Sequence, residues 1–243
     1  MSYEAYKYTM NETQYANLLL KKLKEYPEIS GEETIAFFSG VFAHRFKPYL
    51  ISVFPTSNVV FKMKPDDYKD PYQRLLDLLF STDLSIVEAF ARAKYYLDRI
   101  FFQMTDEGCL DYTYNPNVLL TAEELKSELG VSQETLHRYT ERGLEIVEGH
   151  GQKKYPLHNV FYWNNALWVA RLQILNQAFR VRNRTEEDIK KEIEARIIEF
   201  EALYGGTFAE LDKTISDPYS LENPTDFYEW RHLTKELEEL TQS

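Results

Sequence analysis

Residues 119–165 have the sequence LLTAEELKSELGVSQETLHRYTERGLEIVEGHGQKKYPLHNVFYWNN, which contains the start and stop signals of two short helices. Thr121 followed three residues later by Glu124 has the spacing of a capping box, which begins a helix. Gly130 permits the chain to turn sharply, and Ser132 is then placed to cap a second helix. Two short helices joined by a tight turn that contains glycine form a helix-turn-helix.

The second helix is predicted to run from Ser132 to Arg142 and to end at Gly143. Leu136 and Tyr139 lie three residues apart and should face the first helix. The residues expected to point outward are Gln133, Glu134, His137, Arg138 and Glu141. Glutamine and arginine at the start of such a helix can contact base edges in a major groove, and a capped N-terminus presents backbone N–H groups to phosphate.

A β-hairpin is predicted directly after the second helix. Residues 144–148 alternate in polarity like a strand, the stretch Gly149–Gln152 permits a reversal, and residues 153–155 would return as the second strand. A hairpin with glycine, histidine and lysine near its tip has the form of a wing, which lays basic groups along phosphates beside the groove. Pro156 is then expected to open a new helix at its first position.

This order of elements resembles the winged helix-turn-helix of the MerR, excisionase and terminase-small-subunit superfamily. The pattern is carried by Leu129, Gly130, Val131, Ser132, Thr135, Leu136, Tyr139, Glu141, Gly143, Leu144, Gly149, Gly151 and Tyr155. The resemblance covers only residues 119–165, and it implies that residues of the second helix and of the wing touch DNA. The DNA-contacting residues predicted in this way are Ser132, Gln133, Thr135, His137, Arg138, Arg142, His150, Gln152, Lys153, Lys154 and Tyr155.

The distribution of charge keeps DNA binding open. The chain carries 28 Lys and Arg against 39 Asp and Glu, a net charge of −11, which as a whole argues against non-specific binding to nucleic acid. However, residues 186–243 carry a net charge of −10, while residues 1–118 carry −3 and residues 119–185 carry +2. Residues 137–184 carry a net charge of +5, so the acidity belongs mainly to the C-terminal segment.

The periodicity of apolar residues predicts a mainly α fold. Residues 1–116 hold 22 of the 36 aromatic residues and are expected to form an aromatic-rich N-terminal helical domain. The polar, proline-containing stretch 106–117 is interpreted as a joint and a candidate domain boundary, and residues 157–182 as one helix. The expected division is an N-terminal helical domain (1–116), a winged helix-turn-helix with a two-stranded wing (117–165), a helical extension (166–204) and an acidic segment with a terminal helix (205–243).

Several classes of protein are disfavoured. Cys109 is the single cysteine, so neither a disulfide framework nor a cysteine-based zinc site is expected. No apolar run is long enough to span a bilayer, and the N-terminus lacks the pattern of a secretory signal, so we expect a cytoplasmic protein without a membrane partner. No catalytic motif is present, and Asp66–Asp67 are more typical of a loop than of a nuclease site. We therefore expect no enzyme, no cofactor and no metal site.

Three functions remain open at the level of the sequence. The first is a DNA-binding transcriptional regulator of bacterial or mobile-element origin, which binds double-stranded DNA as a homo-oligomer, with a dimer favoured. The second is a DNA-recognition component of phage packaging, similar to a terminase small subunit. The third is a protein-interaction module that has lost DNA binding, because Glu134, Glu141, Glu145 and Glu148 are unusually acidic for a DNA-binding face. The acidic C-terminal segment is a candidate contact for a protein partner.

Overall fold

The computed structural model describes residues 30–63, 69–80, 83–149, 152–214, 217–220 and 223–242, and the fold is mainly α-helical, as predicted. Ten α-helices and three small antiparallel sheets lie within these residues. The chain divides into two compact units, Met1–Arg182 and Asn183–Ser243, so the boundary falls inside the predicted helical extension. Within the described ranges, no helix is long and apolar enough to cross a membrane.

The first unit is built on three helices, α1 (Gly31–Arg45), α2 (Lys69–Phe80) and α3 (Ile86–Met104). Ser30 begins α1 with a complete capping box, and Ser85 accepts a hydrogen bond from Glu88 N at the start of α3. The core between these helices is rich in aromatic rings, as the composition predicted. Its fully buried phenylalanines are Phe38, Phe42, Phe46, Phe90 and Phe101.

Two short sheets complete the N-terminal part of this unit. Strand β1 (Leu50–Pro55) pairs with β4 (Leu110–Tyr114), and β2 (Val60–Phe61) pairs with β3 (Thr105–Glu107). Residues 106–117, interpreted from the sequence as a joint and candidate domain boundary, instead supply two paired strands inside one compact unit. Their apolar residues complete a sheet with a strand about sixty positions earlier, which no local pattern reveals.

The predicted helix-turn-helix and wing are present as elements. A 3₁₀ turn (Pro116–Val118) and strand β5 (Leu119–Leu120) precede α4 (Ala122–Leu129) and α5 (Gln133–Glu141). Strands β6 (Val147–Gly149) and β7 (Gln152–Pro156) form the hairpin, and the order of the sheet is β5-β7-β6. The wing is thus joined by a third strand that the sequence did not indicate.

Two details of the prediction after α5 were wrong. Pro156 does not open a helix; it ends β7, where it pairs with Leu119. The predicted single helix 157–182 is divided into α6 (His158–Trp163) and α7 (Ala166–Arg182). Asn165 lies at the break, and its side-chain oxygen accepts a hydrogen bond from Trp168 N at 3.3 Å, so it caps the second helix.

The second unit contains α8 (Glu186–Tyr204), α9 (Phe208–Thr214), a 3₁₀ turn (Pro218–Ser220) and α10 (Pro224–Gln242). Thr185 begins α8 with a capping box to Asp188, and Gly205 ends α8 in the left-handed conformation (φ 72°). The core of the unit forms around Trp230, which is fully buried. The rings of Phe200 and Tyr204 stack on it with centroids 5.5 and 5.8 Å away.

Candidate nucleic-acid interface

Local hydrogen bonds set the geometry of the helix pair α4–α5. Thr121 N donates to Glu124 Oε2 at 2.7 Å, and Glu124 N donates to Thr121 Oγ1 at 3.2 Å, which completes the capping box. Gly130 adopts the left-handed conformation (φ 65°) that closes α4. Ser132 Oγ accepts from Thr135 N at 3.2 Å and begins α5. The caps that the sequence predicted are therefore the caps of the structure.

A small separate core holds α5 against its neighbours. Leu125, Leu136, Leu144 and Tyr155 are buried together in it, and Tyr139 packs at its edge. The ring of Tyr139 stacks on Trp163 of α6 at a centroid distance of 4.2 Å. Leu136 and Tyr139 thus lie on the inner face of α5, as predicted.

The opposite face of α5 is exposed to solvent. All the side chains predicted to point outward are exposed, and the residues at the two ends of the helix are exposed as well. The exposed residues are Ser132, Gln133, Glu134, His137, Arg138, Glu141 and Arg142. Thr135 is half-buried, and its hydroxyl accepts a hydrogen bond from Arg138 Nη2 at 3.0 Å. This bond holds the guanidinium close to the helix N-terminus and leaves its other donors available for a ligand.

The wing presents a shorter row of side chains than the sequence indicated. Gln152 and Lys153 are exposed, and Lys154 is half-buried. The assignment of Tyr155 as a DNA contact was wrong, because its side chain is only 5% exposed and belongs to the small core. His150 was also predicted to contact DNA, and it lies outside the described residues.

The charge of this face is more favourable to an anion than the sequence suggested. Its cations are Arg138, Arg142, Lys153 and Lys154, and its exposed anions are Glu134, Glu141 and Glu148. Glu148 lies directly opposite Lys153 across the hairpin. The fourth glutamate, Glu145, is half-buried, with 28% of its side chain exposed, and its carboxylate pairs with Lys94 and His158.

Glu145 belongs to a buried cluster of charged and polar groups that sequence reasoning missed. Lys94 Nζ lies 3.2 Å from Asp98 Oδ2 and 3.3 Å from Glu145 Oε2. The same Glu145 oxygen lies 2.9 Å from His158 Nε2. Tyr112 donates a hydrogen bond to Asp98, and Tyr114 donates one to Glu145; we refer to these six residues as the buried cluster.

Burial and mutual attraction compete in setting the protonation states of the buried cluster. Burial opposes the charge of Glu145, but Lys94 and His158 hold its pKa well below the usual range. Burial likewise opposes the charge of Lys94, yet Asp98 and Glu145 raise its pKa. The pKa of His158 is lowered by burial, against the opposing effect of Glu145, and the pKa of Asp98 is raised by burial, against the effect of Lys94.

The buried cluster joins four elements of the first unit: α3, β4, the segment after α5, and α6. Asn159 strengthens the joint, since its side chain accepts a hydrogen bond from Glu145 N and donates one to Glu145 O. The cluster therefore anchors the end of the helix-turn-helix to the N-terminal helices. A lysine within the apolar face of α3 was the one signal in the sequence that pointed to it.

Arg182, from the basic stretch 180–184, also has an internal role. Its guanidinium donates hydrogen bonds to the carbonyl oxygens of Phe102, Thr105 and Gly108 at 3.0, 2.8 and 2.7 Å. It also lies over the ring of Phe179, 4.8 Å from the centroid. Its charge is thus used to close the end of α3 and β3.

The described residues contain no grouping of three or more His, Cys, Asp or Glu side chains arranged to hold a metal ion. The chain matches no protein-family model, no curated protein and no solved structure.

Proposed function

We propose that the protein is a DNA-binding transcriptional regulator whose helix α5 enters the major groove while the wing contacts the flanking phosphates. Its DNA contacts would come from Gln133, His137, Arg138 and Arg142 on α5, and from Gln152, Lys153 and Lys154 on the wing. Cytoplasmic location and a bacterial or mobile-element origin are parts of the same proposal.

One observation carries the proposal: none of the residues that the structure describes covers the outer face of α5, which exposes side chains that can bind bases and phosphates. The helix is held rigidly from behind by the small core and by the stack of Tyr139 on Trp163. Asn176 Nδ2 also donates to the carbonyl oxygen of Gly143 at 3.4 Å, so the end of α5 is held against α7. A rigid helix with a free polar face is the geometry that major-groove binding requires.

The charge supports specific binding with modest affinity. Four cations on the face exceed three anions by one, so counterion release on DNA should be small compared with that of strongly basic proteins. Discrimination would then rest on base contacts by Gln133 and Arg138, since glutamine pairs well with adenine and arginine with guanine.

The experiment selects bound fragments from random duplex DNA and measures their affinity over a range of salt concentrations. Replacing Arg138, Lys153 and Lys154 together by alanine should weaken binding at least about tenfold and reduce the slope of log K against log salt by up to about 3. A Gln133→Ala change should instead relax the selected sequence at one base position.

A matched variant removes three exposed cations elsewhere: Arg180, Lys191 and Lys213. It changes the net charge by the same amount as the first triple variant. Its affinity for DNA should nevertheless stay within about twofold of that of the native protein. An equal loss in both variants, or no binding to any fragment at low salt, would contradict the proposal.

A second candidate is a protein-interaction module, favoured by the exposed carboxylates of Glu134, Glu141 and Glu148 on the same face. In that case a basic protein would bind there, or to the acidic C-terminal segment. Capture of a basic partner that persists after nuclease treatment and is lost on replacing the three glutamates by glutamine would favour this function over the first.

The native regulator is proposed to be a homodimer, because α7 exposes large apolar side chains at a regular spacing of seven residues: Leu167, Ile174 and Val181. A spacing of seven is typical of helices that pair along a seam. A packaging component would instead assemble as a ring of many subunits, so the size of the assembly separates the two DNA-related functions.

A further inference from the structure

A polar groove lies in the first unit, away from the buried cluster and from the outer face of α5. Its volume is about 440 Å³, and its walls are faces of three helices, α2, α3 and α7. Four arginines converge on it: Arg74, Arg92, Arg99 and Arg171. In a unit whose overall charge is slightly negative, such a concentration of guanidinium groups calls for an anionic partner.

Helical spacing explains why the four arginines meet. Arg92 and Arg99 lie seven residues apart on α3, with Tyr95 and Tyr96 between them, so all four share one face. On α7, Trp168 and Arg171 lie three residues apart and face the same groove. The arrangement is therefore fixed by rigid helices and not by loops.

The aromatic side chains orient the guanidinium groups. Trp168 lies beneath Arg171 and near Arg92, with guanidinium-to-centroid distances of 4.9 and 5.5 Å. Tyr95 packs edge-on against Trp168 at 5.4 Å, and Arg99 lies 6.0 Å from the Tyr95 ring. A guanidinium group that lies over a ring can still bind oxygen atoms through its edge donors, of which Arg99 uses one in a hydrogen bond to Tyr95.

Protein carboxylates neutralise only part of this charge. Arg74 pairs with Asp70 at 3.7 Å, and Arg92 pairs with Glu88. Arg92 Nε is nevertheless buried without a hydrogen-bond partner among the described residues. Within that part of the chain, neither Arg99 nor Arg171 forms an ion pair, so two cationic groups remain for a ligand.

We propose that this groove binds a small phosphorylated ligand of the nucleotide class. Arg92, Arg99 and Arg171 bind the phosphate oxygens, because guanidinium groups match phosphate with two parallel hydrogen bonds. The carboxylates of Asp70 and Asp77 on α2 accept hydrogen bonds from ribose hydroxyls or from an amino group of the base. The volume lies within the range of small-ligand sites, which is about 300–1,000 Å³.

This inference goes beyond the proposed DNA binding and does not depend on it. The ligand groove uses α2, α3 and α7, whereas DNA would contact α5 and the wing. Failure of one assignment therefore leaves the other standing, and the two are measured separately.

The test is calorimetric titration of the full-length protein with ADP at low salt, with adenosine as the ligand that lacks phosphate. ADP is expected to bind one per chain and at least about tenfold more tightly than adenosine, since phosphate contacts supply most of the affinity. The double variant Arg99→Gln and Arg171→Gln should bind ADP at least about tenfold more weakly. Circular dichroism confirms that the variant is folded.

The matched control is Lys47→Gln with Arg180→Gln, which removes two exposed cations of the same unit outside the groove. Its affinity for ADP should remain within about twofold of the native value. The proposal is overturned if ADP does not bind, if adenosine binds as well as ADP, or if the groove variant retains full ADP affinity. It is also overturned if the groove variant loses duplex DNA binding while ADP produces no heat.

Discussion

Glu145 shows how a single residue can be misjudged from its neighbours in the sequence. It lies in an alternating stretch and was expected to weaken a DNA-binding face through its charge. In the structure its carboxylate contacts Lys94, His158 and Tyr114 instead. Replacing one member of such a buried group leaves its partners uncompensated, so these residues act together.

His158 is expected to make the stability of the protein dependent on pH. Its side chain is fully buried, and its pKa lies below its usual value because burial disfavours the charged ring. Glu145, Asp98 and Lys94 act on it electrostatically, and the rings of Phe90, Tyr114 and Tyr162 surround it. The folded protein therefore holds it neutral.

The sign of the effect follows from proton binding. The unfolded chain protonates this histidine near pH 6.5, whereas the folded chain does so only at lower pH, so its stabilising contribution is complete above 6.5 and is lost as the pH falls. The contribution of this group to the free energy of unfolding should therefore decrease as the pH falls below about 6.5. Denaturant titrations of the native protein and of His158→Gln measure the difference.

The His158→Gln variant should be less stable than the native protein at neutral pH. Its free energy of unfolding should also change less with pH between pH 7 and 5.5. The control is His137→Gln, since His137 is exposed on α5. It should leave the dependence on pH unchanged. A steep dependence that survives in His158→Gln would contradict the role assigned to this histidine.

At the scale of elements, helix starts were more predictable than strand partners. Thr121 and Ser132 cap helices as predicted, and Ser30 and Thr185 cap helices with the same spacing, because a cap depends on residues three positions away. Strand β4 was missed because its partner is distant in the sequence and its own pattern is short. The boundary between α6 and α7 was missed because the apolar period continues across the break.

Two glycines with equal open space around them should respond oppositely to alanine. A Cβ atom at Gly130 or at Gly40 would meet no atom of the described residues within 4 Å. Gly130 has a left-handed backbone (φ 65°), so Gly130→Ala should destabilise the protein by about 1 kcal/mol. Gly40 lies inside helix α1, so Gly40→Ala should stabilise it by roughly 0.5–1 kcal/mol.

Urea unfolding of the two variants measures both effects. Neither added methyl group meets a steric obstacle among the described residues. Opposite signs of the two changes in the free energy of unfolding would therefore report the backbone conformation alone. Equal effects of the two substitutions would show that the turn between α4 and α5 does not need the left-handed conformation. That result would count against a rigid helix-turn-helix.

At the scale of the whole molecule, the net charge of −11 is divided unequally between the two units. Residues 1–182 carry 21 basic and 23 acidic groups, a net charge of −2, whereas residues 183–243 carry 7 and 16, a net charge of −9. The unit that contains the candidate interface is therefore nearly neutral. Overall acidity is a poor guide to the charge of a local site.

We expect the assembly to depend on the apolar row of α7. Leu167, Ile174 and Val181 are 59%, 72% and 49% exposed, and burying them in a two-fold contact would remove apolar surface from water. Light scattering should give a dimer for the native protein and a monomer for Ile174→Glu, because a charge in the seam would be desolvated.

The control for assembly is Arg180→Gln on the same helix, which changes the net charge by the same amount but lies off the row. It should remain a dimer. A native monomer would remove the argument for paired DNA half-sites, and a ring of eight or more subunits would favour a packaging role.

The helical class, the helix caps and the order of the central helix pair and hairpin can be read from the amino-acid sequence alone. These features depend on residues within a few positions of one another, where apolar period and capping chemistry act. Folding of the whole chain was needed to pair Glu145 with Lys94 and His158, to bury Tyr155, to bind Arg182 to three carbonyl groups and to bring four arginines to one groove. Those features depend on contacts between distant segments, and the side chains that form them are recognisable only once the helices are packed.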